Sequence, residues 1–160
     1  MAADEETKTL ILNAVPQQHP FRFIDEILQL DEERITGAYR FRRDEFFYAG
    51  HFPGMPITPG VILIETMAQT GVVAFGLYLT VLQKKMPLAE VKEMVTLFTL
   101  AEQVEFAGLV KPEERVVIRG EKVYFRRGSL KARVTMEREN GEVVCSGVLA
   151  GMGISRKGTF

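Results

Sequence analysis

A histidine and a glutamate, His51 and Glu65, stand in a setting that suits proton transfer. His51 lies in a loop stiffened by Pro53, Gly54, Pro56 and Pro59, and Glu65 is the only formal charge in the apolar run 61–82. A carboxylate in such a run costs several kcal/mol unless it is paired or protonated. Desolvation therefore favours its neutral form, which can give up a proton near neutral pH. Imidazole titrates close to neutrality and can accept one. A base and an acid so arranged suit the elimination of water beside a carbonyl. One removes a proton from C2, the other protonates the hydroxyl leaving C3, and donors hold the enolate-like charge on the carbonyl oxygen. Free backbone N–H groups at Gly60 and Val61, where the run begins, can supply those donors with the help of the helix dipole.

These groups need a rigid loop feeding a helix. Thr58 is expected to cap that helix and Pro59 suits its first turn. The helix is expected to run to about Lys84, with Pro87 forbidding long continuation. Apolar nearly all round, it must be buried on every side. Before it, 10–15 reads as a short helical turn stopped by Pro16. Residues 21–30 and 34–42 read as two strands joined by Asp31-Glu32-Glu33. After it come a long, possibly bent strand at 93–106 and further strands at 115–125, 130–137 and 142–152, the last two joined by Asn140-Gly141, a strong hairpin signal. The tail 155–160 reads as frayed. The order predicts one α+β domain over 1–160, an antiparallel sheet curled around a central helix.

Composition narrows the function classes. The chain is 46% hydrophobic and 26% charged with a net charge of −1, so charge gives no support to a nucleic-acid or anionic-membrane partner. One cysteine, Cys145, and two histidines leave no credible metal site or disulfide, and no glycine-rich phosphate loop is present. The N-terminus shows no signal-peptide pattern. The run 61–82 is long enough to span a bilayer, but an acidic residue inside a span is disfavoured by about 2.5–3.5 kcal/mol. A cytoplasmic protein without cofactor or membrane partner is expected.

Gly50-His51-Phe52-Pro53, Pro56, Pro59-Gly60-Val61, Glu65 and Met67-Ala68-Gln69 resemble the signature of the 3-hydroxyacyl-[acyl-carrier-protein] dehydratases of fatty acid synthesis, FabZ type. The resemblance extends upstream to Pro16, His19-Pro20-Phe21, Ile24-Asp25 and Phe46-Phe47, and fades downstream. It implies the hot-dog fold, with His51 and Glu65 catalytic across a homodimer interface, one from each subunit, and a trimer of dimers common in the family. It implies that Gly60, with Val61, donates to the thioester carbonyl and that Gln69 supports the carboxylate. The expected reaction converts a (3R)-3-hydroxyacyl thioester into a trans-2-enoyl thioester, on acyl carrier protein or coenzyme A. The related isomerising dehydratases carry Asp at the position of Glu65 and a nearby tryptophan; this chain has no tryptophan, which points to dehydration alone.

Phe52 and Met55 are candidates for the acyl tunnel, and Arg126 and Arg127 for contact with an acidic carrier. The chain departs from the family's basic stretch after the helix, placing Glu105 and Ala107 there, so a specialised lipid, polyketide or polyene pathway stays open beside housekeeping fatty acid synthesis. Two other functions stay open: a hot-dog thioesterase, which would release free thiol, and a non-catalytic acyl-binding partner subunit.

Overall fold

The computed structural model describes residues 1–157. Asp4 accepts a hydrogen bond from the Thr7 N–H (2.8 Å) and starts α1, Glu5–Ala14, whose first turn carries Glu5 and Glu6. This helix is longer than the turn expected at 10–15. Its first residues are too polar to show an apolar stripe, but an aspartate cap and acidic first turn favour a helix start without one. The Arg22 guanidinium closes the other end by donating to the carbonyls of Leu12, Val15 and Gln17.

Strands β1, Glu26–Leu30, and β2, Arg34–Arg40, pair across the expected polar turn. β1 starts later than expected. The backbone groups of Phe23 and Phe21 are taken by the Gln69 side chain instead of a ladder. In β2 both faces are buried from Ile35 to Tyr39. On the face that carries Ala38, the Arg115–Glu26 ion pair joins residues to either side of it.

The central helix runs unbroken from Gly60 to Lys84 as α2, Gly60–Ala68, a wider π segment, Gln69–Ala74, and α3, Phe75–Lys84. Lys85, at φ 49°, ends it. A four-residue helix, α4 (Leu88–Val91), leads to β3, Met94–Phe106, followed by β4, Arg115–Arg126, β5, Ser129–Arg138, and β6, Val143–Ser155. The strands form one antiparallel sheet in the order β1-β2-β4-β5-β6-β3, wrapped around the helix. β3 is bent, its register breaking at Phe98/Leu100 and again at Glu102/Glu105. The tail is paired further than expected: β6 reaches Ser155, and the Arg156 N–H donates to the Glu93 carbonyl. The rest of the frayed-tail expectation, at 158–160, lies outside the described residues.

Although the helix is long and apolar enough to cross a membrane, 72% of its most apolar window is buried inside the fold. Its packing depends on close approach at three consecutive π-segment residues. A Cβ on Gly37 of β2 would lie 2.8 Å from the Thr70 hydroxyl, one on Gly120 of β4 3.1 Å from the Gly71 Cα, and one on Gly151 of β6 2.6 Å from a Val72 methyl. Three strands thus lack side chains where the helix presses hardest.

Gly120 offers the cleanest test, because its nearest neighbours include helix backbone that cannot rotate aside. Gly120→Ala is expected to destabilise the fold by about 1–3 kcal/mol, read as a drop in thermal midpoint. An unchanged midpoint would refute the close-approach account.

Candidate active site

The loop holding His51 is built from reciprocal backbone contacts. Phe52 and Met55 exchange N–H···O=C bonds of 2.9 Å around Pro53-Gly54, where Gly54 adopts φ 74°. Ile57 then grips His51 at two points. Its N–H donates to the His51 carbonyl (2.9 Å), and its own carbonyl lies 2.9 Å from His51 Nδ1. A carbonyl can only accept, so Nδ1 carries a proton there and Nε2 of the neutral ring keeps its lone pair. The Phe52 ring stacks on the imidazole at 4.1 Å, leaving the ring one orientation and one basic nitrogen.

Thr58 does not cap the helix as expected. Its hydroxyl meets the Tyr48 hydroxyl at 2.7 Å, and its N–H donates to the Val110 carbonyl. Burial, the main cause, pushes the Tyr48 phenol up to about 12, so it stays neutral. Pro59 occupies the N-cap with no side-chain hydrogen bond. The N–H groups of Gly60 and Val61 therefore face outward with no intrahelical acceptor, at the positive end of the helix dipole. Glycine at position 60 leaves room for the Phe106 ring of β3, which a Cβ there would approach to 3.0 Å.

Glu65 lies half-buried one turn further on. Desolvation by burial raises its pKa, and a hydrogen bond from Gln69 opposes the rise. Gln69, fully buried, uses its whole amide. Its oxygen accepts from the Phe23 N–H (2.6 Å), while its nitrogen donates to the Phe21 carbonyl and to Glu65 Oε1, both at 2.9 Å. The Phe23 N–H can only donate, which fixes the amide's direction. One carboxyl oxygen is thereby held and the other left free. Neither Arg22 nor Arg40 pairs with Glu65: Arg22 caps α1, and Arg40 bonds to the Glu113 carbonyl.

The structure thus brings Gly60, Val61, Glu65 and Gln69 together on one helix, with the His51 loop leading into it. Among the described residues, His51 and Glu65 make no hydrogen bond to each other within the chain. Met55 is 58% exposed at the loop tip. Arg126 ends β4 and Arg127 lies in the β4–β5 turn, beside Gly128, which lines a cleft at the far end of the helix with Gly76 and Thr80. Arg126 lies over the Tyr124 ring, 4.4 Å from its centre. The turn is therefore not adjacent to His51 or Glu65 of the same chain. Met67 and Phe75 are core residues. Cys145 is buried on β6 with its thiol pushed up to about 11 by burial, as an inert apolar residue would be.

Residues 15–149 match the family model of the FabA-like domain. The chain belongs to that family. It is 35% identical to a 3-hydroxyacyl-[acyl-carrier-protein] dehydratase FabZ of Caldicellulosiruptor saccharolyticus, over 88% of this chain and 94% of the relative. It is 36% identical to the FabZ dehydratase of Acetivibrio thermocellus, over 88% and 90%. Among solved structures, the dehydratase heterocomplex ApeI:P from Xenorhabdus doucetiae superposes with a TM-score of 0.72 at 13% identity, covering 91% of each chain. Thioesterase HI1161 from Haemophilus influenzae superposes with a TM-score of 0.56 at 12% identity, over 84% and 80%. Those two likenesses are of fold alone, the hot-dog arrangement of sheet and central helix.

The raised pKa of Glu65 in this FabA-like domain has a thermodynamic consequence. An unfolded carboxyl titrates near 4.5 and the folded one above it, so folding favours the protonated form. Its contribution to stability is complete below the unfolded value and is lost as pH rises through the folded value. Glu65→Gln has no proton to lose there. It should therefore gain stability relative to the unsubstituted protein between pH 4 and pH 7, measured by denaturant unfolding. An equal stability difference at both pH values would contradict a shifted Glu65.

Proposed function

We infer that this FabA-like protein dehydrates (3R)-3-hydroxyacyl thioesters to trans-2-enoyl thioesters in cytoplasmic lipid synthesis, with the acyl group on acyl carrier protein or coenzyme A. The observation that carries this reading is the pairing of Glu65, whose pKa burial raises, with the uncapped start of its own helix. That arrangement supplies an acid and oxyanion donors together, and curated relatives at 35–36% identity are dehydratases. His51 Nε2 takes the C2 proton, the C–H electron pair becomes the C2=C3 bond, and the C3–O bond breaks. Glu65 donates its proton to the departing hydroxyl, which leaves as water. The proton on the imidazole then returns the carboxylate to its acid form. Through the step, the Gly60 and Val61 N–H groups hold the thioester oxygen.

A second copy of the chain completes the site in this reading. β3 ends the sheet with thirteen residues whose outer edge pairs with no strand among the described residues. Leu97, Phe98 and Phe106 on that strand, with Phe52 and Val61 beside the site, are 43–72% exposed. A long apolar edge of this kind is a template for pairing with another strand. Edge-to-edge pairing of two β3 strands would give the homodimer, with His51 of one subunit facing the carboxyl of the other.

Mass spectrometry on 3-hydroxyacyl-carrier-protein substrates tests both ideas. The unsubstituted protein should yield enoyl product, and His51→Ala and Glu65→Gln should each lower kcat/KM by roughly 10²–10⁴-fold. Release of free thiol instead would make the protein a thioesterase. Coexpressing the two inactive variants should restore roughly a quarter of the activity, because a mixed dimer regains one intact site of two. No restoration would place both residues of a site in one subunit.

A further inference from the structure

His51 takes its tautomer from one peptide group, the unit that joins Ile57 to Thr58. The carbonyl of that unit accepts from His51 Nδ1 (2.9 Å), and its N–H donates to the Val110 carbonyl (2.9 Å). A trans peptide group is planar, with C=O and N–H pointing opposite ways, so whatever holds the N–H aims the carbonyl. The holder is firm. Val110 is fully buried in the segment between β3 and β4, and that segment is fastened on both sides of it. Arg138 donates to the Leu109 carbonyl, and the Glu113 N–H donates to the Phe41 carbonyl.

One such bond still leaves the plane free to rock about the chain direction. The second restraint is a side chain. The Thr58 hydroxyl meets the Tyr48 hydroxyl at 2.7 Å, and the two residues are only 3% and 5% exposed. Thr58 is β-branched and stiff at χ1, so fixing its hydroxyl fixes its Cα, one end of the plane. Tyr48 and Thr58 also stand on either side of the His51 loop, and the His51 N–H reaches back to the Tyr48 carbonyl (3.4 Å). The hydroxyl pair is thus a clasp across the foot of that loop. Two apolar side chains would fill the same space without desolvating a hydroxyl, so stability alone does not account for the pair.

We propose that Tyr48 and Thr58 are positioning residues, whose hydroxyl clasp sets the Ile57–Thr58 peptide plane and so keeps the proton on Nδ1 and the lone pair on Nε2 of His51. The inference rests on the dehydratase reading for its effect on rate. A neutral imidazole released from the Ile57 carbonyl exchanges between two tautomers. The form protonated on Nε2 cannot take a C2 proton there. Loss of the clasp therefore lowers kcat and leaves KM nearly as it was, because proton transfer suffers and thioester binding does not.

Removing both hydroxyls together separates this role from stability. Tyr48→Phe and Thr58→Val each strand one buried hydroxyl and should lower the thermal midpoint. The double variant strands none, so its midpoint should return towards that of the unsubstituted protein while the clasp stays broken. Its kcat and KM are measured, together with the His51 ring nitrogen chemical shifts by NMR at a pH where imidazole is neutral. The chain has two histidines, and His19, exposed in the segment before β1, serves as the reference. His51 should be protonated on Nδ1 in the unsubstituted protein and a mixture of tautomers in the double variant. There kcat should fall by roughly tenfold with KM little changed. Ring shifts in the double variant that match the unsubstituted protein overturn the inference, as does kcat that recovers along with the midpoint. Should the double variant fail to fold, the single variants decide by the same ring signals. If the unsubstituted protein forms no enoyl product, the dehydratase reading fails, and the ring shifts alone judge the clasp.

Discussion

The close approach of the π segment to the sheet is the constraint on which the rest of the molecule depends. Gly71 lies against Gly120, Thr70 against Gly37 and Val72 against Gly151, so the helix can sink to backbone contact with β2, β4 and β6. A π turn widens the helix locally, and here three successive residues each meet a different strand. Seating the helix this deep buries Gln69 completely. Its amide then has only backbone and carboxyl partners to choose from: Phe23, Phe21 and Glu65. The position of the acid is therefore a consequence of how glycines were distributed over strands far away in sequence.

The same economy runs through the start of the helix. Thr58 stands where a capping hydroxyl would be worth about 1 kcal/mol, yet that hydroxyl is committed to Tyr48. The first N–H groups are left to whatever enters the site. A helix whose middle is well packed can tolerate an open N-terminus, and an anionic oxygen arriving there meets both the dipole and free donors. Ile57 similarly spends both its backbone groups on His51, fixing the ring and its tautomer together. Loop and helix are thus held separately, and neither relies on a bond between the two reactive side chains.

Much of this site could be read in the sequence because its parts are close along the chain. His51, Gly60, Glu65 and Gln69 fall within one loop–helix unit, and a lone charge in an apolar run is visible without a structure. The alternation at 130–137 likewise matched β5, where Leu130, Ala132, Val134 and Met136 are buried. What escaped depends on distant partners. The start of β1 is decided by Gln69, more than forty positions away. The engagement of Thr58 is decided by Tyr48. The first turns of α1 are set by Asp4, which a search for apolar periodicity passes over. Met67 and Phe75 have the composition of pocket walls, but the turn of the helix sends them into the core.

β3 shows why the fold, the proposed subunit contact and the proposed reaction are difficult to separate. Its inner surface packs along the helix: Phe106 lies against Gly60, and Thr96 and Met94 line the cleft at Gly76. Its free edge, with Leu97 and Phe98 exposed, is the surface a second copy would cover. One strand, bent twice by breaks in its pairing with β6, therefore lies between the start of the helix and the edge proposed for a second copy. On this view the glutamates at 102 and 105 act first on how two chains meet, and only through that on what the site accepts. Glu102 is already held to Lys131 by an ion pair of 3.1 Å, which ties the edge to β5. The departure from the family's basic pattern in this stretch thus falls on the strand that the proposed subunit contact would use.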